Sequence, residues 1–78
     1  MNKTEVIEFL EELCRDIFDD DEYIYNESAV RDDVDGWDSL THLELIIEVQ
    51  NEYSIKFSLE EIQSIKTMGQ LVELILSK

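Results

Sequence analysis

Proline is missing from this 78-residue chain and glycine occurs only twice. Few positions can therefore break a helix, and the turn residues that β-hairpins need are scarce. Helices joined by links are the economical architecture for such a composition, which is also rich in Glu, Leu and Ile. A single cysteine, Cys14, excludes an intramolecular disulfide and argues against a small cross-linked secreted scaffold. Basic residues are few: 6 Lys and Arg stand against 20 Asp and Glu, a formal net charge of −14. That charge repels nucleic acid and anionic membrane surfaces and attracts basic protein surfaces, although part of it serves solubility alone. No apolar run approaches membrane-spanning length, so no membrane span is expected. The opening MNKTEVIEFLEEL lacks the apolar core of a signal peptide, so a cytoplasmic location is expected.

Hydrophobic residues make up 44% of the chain, enough for a packed core despite the charge. The length predicts one domain over residues 1–78, monomeric, with a core supplying only a few kcal/mol of net stability. Val6, Leu10, Leu13, Cys14 and Ile17 recur at helical spacing and predict a first helix over 4–18, capped by Thr4 and ended by the acidic run Asp19-Asp20-Asp21-Glu22. Cys14 falls inside the apolar stripe and reads as a small buried hydrophobe. A loop of about 17 residues follows, long for a compact domain. Tyr23, Ile24, Tyr25, Val30 and Val34 are available to pin it to the core, and Asn26-Glu27-Ser28 can start a turn.

The loop ends at Gly36-Trp37-Asp38-Ser39-Leu40. Asp38 suits an N-cap, which makes Ser39 the first residue of a second helix running to about Tyr53. Leu40, Leu43, Ile46, Ile47 and Gln50 follow at spacings of three and four, with Leu45 and Val49 widening the apolar arc. Ser39 is thus expected to be exposed at the positive end of the helix dipole, where a phosphate ester would lie near free amide donors. Ser58-Leu59-Glu60-Glu61 is a capping box opening a short third helix, with Leu59, Ile62 and Ile65 expected to face inward. Thr67-Met68-Gly69-Gln70 repeats the device, and Met68, Leu71, Val72, Ile75 and Leu76 continue an amphipathic fourth helix. Ile55 and Phe57, between the second and third helices, are expected core residues.

The run DVDGWDSLTHLELIIEVQNEY, from Asp33 to Tyr53, resembles the acyl carrier proteins and related peptidyl carrier domains, and the resemblance extends over nearly the whole chain. It rests on Gly36, Asp38, Ser39 and Leu40 and on the apolar, acidic helix behind them. It implies an all-α four-helix bundle of acyl-carrier type, with a long loop between helices 1 and 2 and a short helix 3. It further implies a 4'-phosphopantetheine arm on Ser39, attached from coenzyme A by a phosphopantetheinyl transferase, whose thiol carries an acyl or aminoacyl thioester. Asp38, on the same resemblance, helps position magnesium-bound coenzyme A during loading. Partner enzymes of such carriers recognise the second helix through basic surfaces, which points to Glu44 and Glu48 with Leu40 and Ile47 beside them. The polypeptide itself is then not an enzyme. Trp37 stands where fatty-acid carriers usually have a small residue, and Thr41-His42 replaces more acidic residues. This looks closer to carriers of polyketide, amino-acid or other specialised pathways.

Other chemistries fit the residues less well. Placing Gly36 at the sixth position of an EF-hand loop puts Arg31 and His42 where the first and last ligands belong. One His and one Cys make no conventional zinc site. His42 follows Ser39 by three residues, but no oxyanion hole or Gly-x-Ser-x-Gly elbow accompanies the pair. His42 therefore reads as a surface residue beside the attachment point. Trp37 reads as a loop residue covering the bundle end, or as a partner anchor. Glu44, Glu48 and Glu52 form either a solvated edge or a docking edge. A reading from a different class is an unmodified acidic helical adaptor for a basic partner, with Ser39 merely capping a helix.

Overall fold

The computed structural model describes residues 2–78. Its α-helices are α1 (Lys3–Ile17), α2 (Ser39–Tyr53), α3 (Leu59–Ser64) and α4 (Met68–Leu76), with a 3-10 turn at Arg31–Asp33 in the long loop between α1 and α2. This is the all-α, four-helix arrangement with a short third helix that the sequence predicts.

Each helix start is fixed by a side chain within four residues. Asn2, not Thr4, caps α1: its Oδ1 accepts the Glu5 N–H at 2.9 Å, which draws Thr4 into the first turn. Asn is the stronger capping residue of the two. Ser58 with Glu61 and Thr67 with Gln70 form the expected reciprocal boxes at α3 and α4. The end of α1 is set by backbone geometry as well as charge. Asp19 adopts a left-handed conformation (φ 53°), which lets Asp20 N–H reach Arg15 O at 3.0 Å and Asp19 N–H reach Asp16 O at 3.3 Å. Those two bonds satisfy carbonyls that the helix leaves open. Ser54 does the same for α2 at φ 54°.

The core is built from Val6, Leu10 and Cys14 of α1, Leu45, Ile46 and Val49 of α2, and Met68, Leu71, Val72 and Ile75 of α4. Phe57 and Ile65 close it from the connecting segments, with Ile55 and Ile62 packed against it. Burial pushes the Cys14 thiol up to about 12, so it stays protonated and unreactive. Leu40, Leu43 and Ile47 of α2 are exposed, because α2 turns its Leu45, Ile46 and Val49 side inward; Leu40 and Ile47 are the pair expected beside the acidic edge, and Leu43 joins them. Leu59, expected to face inward, is exposed, since α3 is only six residues long and buries its far end through Ile62 and Ile65. Gln50 faces the segment after α2, where its Oε1 accepts the Phe57 N–H at 3.0 Å.

The long loop is held at both ends of its course. Tyr23, Tyr25 and Val34 pack on the core, whereas Ile24 and Val30 remain exposed. In extended chain, neighbours point to opposite sides, so Ile24 cannot follow Tyr23 and Tyr25 inward. Val30 serves through its backbone, forming an isolated antiparallel bridge with Thr67. Arg31 N–H donates to Lys66 O at 2.8 Å, Met68 N–H to Ala29 O at 3.3 Å and Gly69 N–H to Glu27 O at 3.0 Å. These bonds clasp the loop onto the start of α4.

Gly69 lies so close to the loop that a Cβ there would meet Glu27 O at 2.9 Å and Glu27 Cβ at 3.3 Å. Helix propensity alone would make Gly69→Ala stabilising by up to about 1 kcal/mol. The contact is with backbone and cannot rotate away, so the clash prevails. Gly69→Ala is expected to lower stability by about 1–2 kcal/mol in urea unfolding; a rise would show that the clasp contributes nothing.

Candidate functional site

Chemistry-bearing groups gather where the loop enters α2. Gly36 takes φ 87°, and a Cβ there would stand 3.3 Å from Phe18 Cβ, so the turn needs a residue without a side chain. Asp38 then caps α2. Its Oδ1 accepts the Thr41 N–H at 2.9 Å, and its own N–H donates to Thr41 Oγ1 at 2.8 Å. Thr41 Oγ1 in turn donates to Gly36 O, tying the turn to the helix. Bonding from the Thr41 N–H holds the Asp38 carboxyl below the usual carboxylate range, so it is ionised at neutral pH. Ser39 is exposed in the first helical position, and among the described residues its Oγ has no hydrogen-bond partner. The Ser39 N–H has no acceptor available within the helix.

His42 and Trp37 are buried, which corrects the reading of His42 as a surface residue and, of the two readings of Trp37, agrees with the loop residue covering the bundle end and not with the partner anchor. Each is 3% exposed. Trp37 Nε1–H lies 3.0 Å from His42 Nδ1, and His42 Nε2 lies 3.0 Å from Ile62 O. An indole nitrogen only donates, so Nδ1 is the acceptor and the imidazole proton sits on Nε2, pointing at the carbonyl. Trp37 also lies against Phe18, ring centroids 6.3 Å apart. The turn before Ser39 is thereby joined through α2 to α3. Burial is the main cause that holds the His42 pKa below its ordinary value; the Arg31 charge adds to it, and the bond to Ile62 O opposes it. Sequence spacing gave no sign of this, because a residue three positions after an exposed serine is expected to share its face.

A second feature lies further along α2. Leu40, Leu43 and Ile47 are 67%, 48% and 52% exposed, and Glu44 and Glu48 are exposed beside them. Positions 40, 44, 47 and 48 share one face of the helix, opposite the buried Leu45, Ile46 and Val49. A shallow depression of about 440 Å³ runs from Ile47, Glu44 and Glu48 to Leu13, Asp16 and Ile17 of α1. Leu43, of the same apolar series, also belongs to this exposed face. Beside Ser39 itself, a second depression is lined by Arg31, Asp32, Asp35 and Asp38 together with Val34 and Trp37. Among the described residues no helix is long and apolar enough to cross a membrane, and no group of three or more His, Cys, Asp or Glu could hold a metal ion.

No protein-family model matches the chain. Among solved structures it is similar to a holo acyl carrier protein from Geobacter metallireducens, with 38% identity and a TM-score of 0.83 over 92% of this chain and 83% of that one. The all-α bundle is that of a small carrier protein, and at this identity and coverage the chain belongs to the acyl carrier protein family.

Because His42 must be neutral to accept from Trp37, its depressed pKa adds stability that is fully present above the ordinary value of 6.5 and is lost as pH falls through the lower folded value. His42→Leu leaves Trp37 N–H and Ile62 O unpaired and is expected to cost about 2 kcal/mol at pH 7.5. The gap between wild type and variant should narrow at pH 5.5, as urea unfolding at both pH values can measure. A constant gap would mean that His42 does not titrate as described.

Proposed function

We propose that Ser39 carries a 4'-phosphopantetheine arm and that the chain presents an acyl or aminoacyl group, bound as a thioester, to partner enzymes. The observation that carries this reading is the Ser39 hydroxyl: exposed, without a hydrogen-bond partner among the described residues, and at the first position of α2 behind the Asp38 cap. The surroundings suit a phosphodiester. The α2 dipole and the Ser39 N–H favour negative charge, and Arg31 is the one basic residue in an adjoining depression that Asp32, Asp35 and Asp38 also line. The arm, once attached, supplies a thiol whose thioester is reactive and whose tether keeps its concentration high at each partner. The polypeptide holds and orients; it performs no catalysis of its own.

Roles follow for the neighbouring residues. Ser39 Oγ is the accepting atom when a phosphopantetheinyl transferase delivers the arm from coenzyme A. Asp38 keeps Ser39 in place and, being ionised and exposed, is available to assist magnesium-bound coenzyme A during loading. Leu40, Leu43 and Ile47 offer apolar contact, and Glu44 and Glu48 offer charge, to enzymes with basic docking surfaces. Steering by the net charge of −14 should speed such encounters at low salt.

Intact mass after incubation with coenzyme A and a phosphopantetheinyl transferase tests the attachment. One added arm is expected on the wild type and none on Ser39→Ala. An unchanged wild-type mass with a transferase competent on another carrier would leave the adaptor reading in its place. The docking face is tested by combining Glu44→Lys with Glu48→Lys, which should slow loading about tenfold at low salt while helix content and melting temperature hold. Unaltered kinetics would remove the two carboxylates from the surface that partners use.

A further inference from the structure

The hydrogen-bonded chain from Trp37 through His42 to Ile62 O has a bearing on cargo that the carrier reading leaves open. A group tethered to Ser39 starts one helical turn from His42. If the cargo is an alkyl chain, water drives it toward the nearest apolar interior, each buried methylene favouring the sheltered state about fourfold. The path from Ser39 into the core along the seam between α2 and α3 begins at His42 and Ile62, the residues that meet across it. There Trp37 and His42 occupy the entry. The indole and the imidazole are both buried and bonded to each other at 3.0 Å, and the second bond from His42 to α3 is also 3.0 Å. Entry would separate one buried and one partly buried hydrogen bond and leave an indole N–H and a carbonyl without partners. The depression that does open beside Ser39 is bordered by Arg31, Asp32, Asp35 and Asp38. It suits a polar group and offers little to a hydrocarbon.

We infer that Trp37 and His42 are specificity-determining residues which keep the cargo in solvent, so that this carrier serves short or polar acyl groups and does not shelter long alkyl chains. The inference rests on attachment at Ser39. It assigns the pair a task distinct from stability: closing the seam that a long chain would otherwise enter.

The test loads the protein through a phosphopantetheinyl transferase with acetyl-, butanoyl- or octanoyl-coenzyme A and then exposes each form to hydroxylamine. Hydroxylamine bonds to the thioester carbonyl carbon as the C–S bond breaks, giving a hydroxamic acid and the free thiol, and intact mass follows the loss. Cleavage rates in the wild type should agree within about twofold once corrected with the matching acyl-pantetheines free in solution, since no methylene is sheltered. Amide resonances of His42, Ile62 and Ile65 should not depend on chain length. Octanoyl cleavage slowed about tenfold or more relative to acetyl, with shifts at Ile62, would overturn the inference while leaving attachment intact. Failure of all three forms to gain mass would overturn the attachment and the inference with it.

Trp37→Ala, with His42→Ala as a second variant, tests the pair itself. Opening the seam in either folded variant should slow octanoyl cleavage several-fold relative to acetyl. Equal rates in a folded variant would show that the pair is not what excludes the chain. If both variants unfold, the wild-type comparison still decides.

Discussion

The entry into α2 is the constraint on which the rest of the site depends, because one short segment has to leave Ser39 in water while burying Trp37 before it and His42 after it. The Asp38 cap fixes where the helix begins, and the bond from Thr41 back to Gly36 O fixes how the loop arrives. Trp37 and His42 then anchor that entry to the interior. A cap is worth about 1 kcal/mol and a buried neutral hydrogen bond about the same, so no single contact dominates. Their joint effect is positional: they set which residue becomes the first of the helix and which way its side chain points.

Helix α2 has to satisfy two demands with one sequence. His42, Leu45, Ile46 and Val49 face the core, and Leu40, Leu43 and Ile47 are left on the outside. Apolar residues on both sides would ordinarily invite self-association. Here Glu44 and Glu48 stand within the outer stripe, and the chain as a whole carries −14, so copies repel one another while a basic partner does not. Only two ion pairs, Arg15 with Glu11 and Lys78 with Glu61, are present among the described residues. Most carboxylates are therefore solvated and contribute a long-range field more than local stability.

The loop between α1 and α2 achieves order without a regular element longer than the 3-10 turn at Arg31–Asp33. Its backbone is satisfied by the segment leading into α4, through the bridge of Val30 with Thr67 and the bonds of Glu27, Ala29 and Arg31 to Gly69, Met68 and Lys66. Half-buried tyrosine rings fasten its first half, with Tyr23 set edge-on to Phe18 at 5.6 Å. A loop held this way positions Gly36 and Trp37, and through them the serine.

Sequence by itself determined the helical class, the capping boxes at Ser58 and Thr67, the cap at Asp38 and the place of Ser39 as the first residue of α2. All of these are settled by contacts within three or four residues, so they are legible without knowing what lies across the fold. It also placed Leu40, Glu44, Ile47 and Glu48 on one face, since helical spacing alone fixes that. Only the tertiary structure decided which apolar side of α2 turns inward, and with it the exposure of Leu43 and the burial of His42. A helix with two apolar faces does not reveal its inner one; the choice belongs to α1, α3 and α4, whose surfaces must fit. The Trp37–His42–Ile62 chain was invisible for the same reason, because its last partner is a backbone carbonyl twenty residues away, and a carbonyl has no signature in an amino-acid sequence.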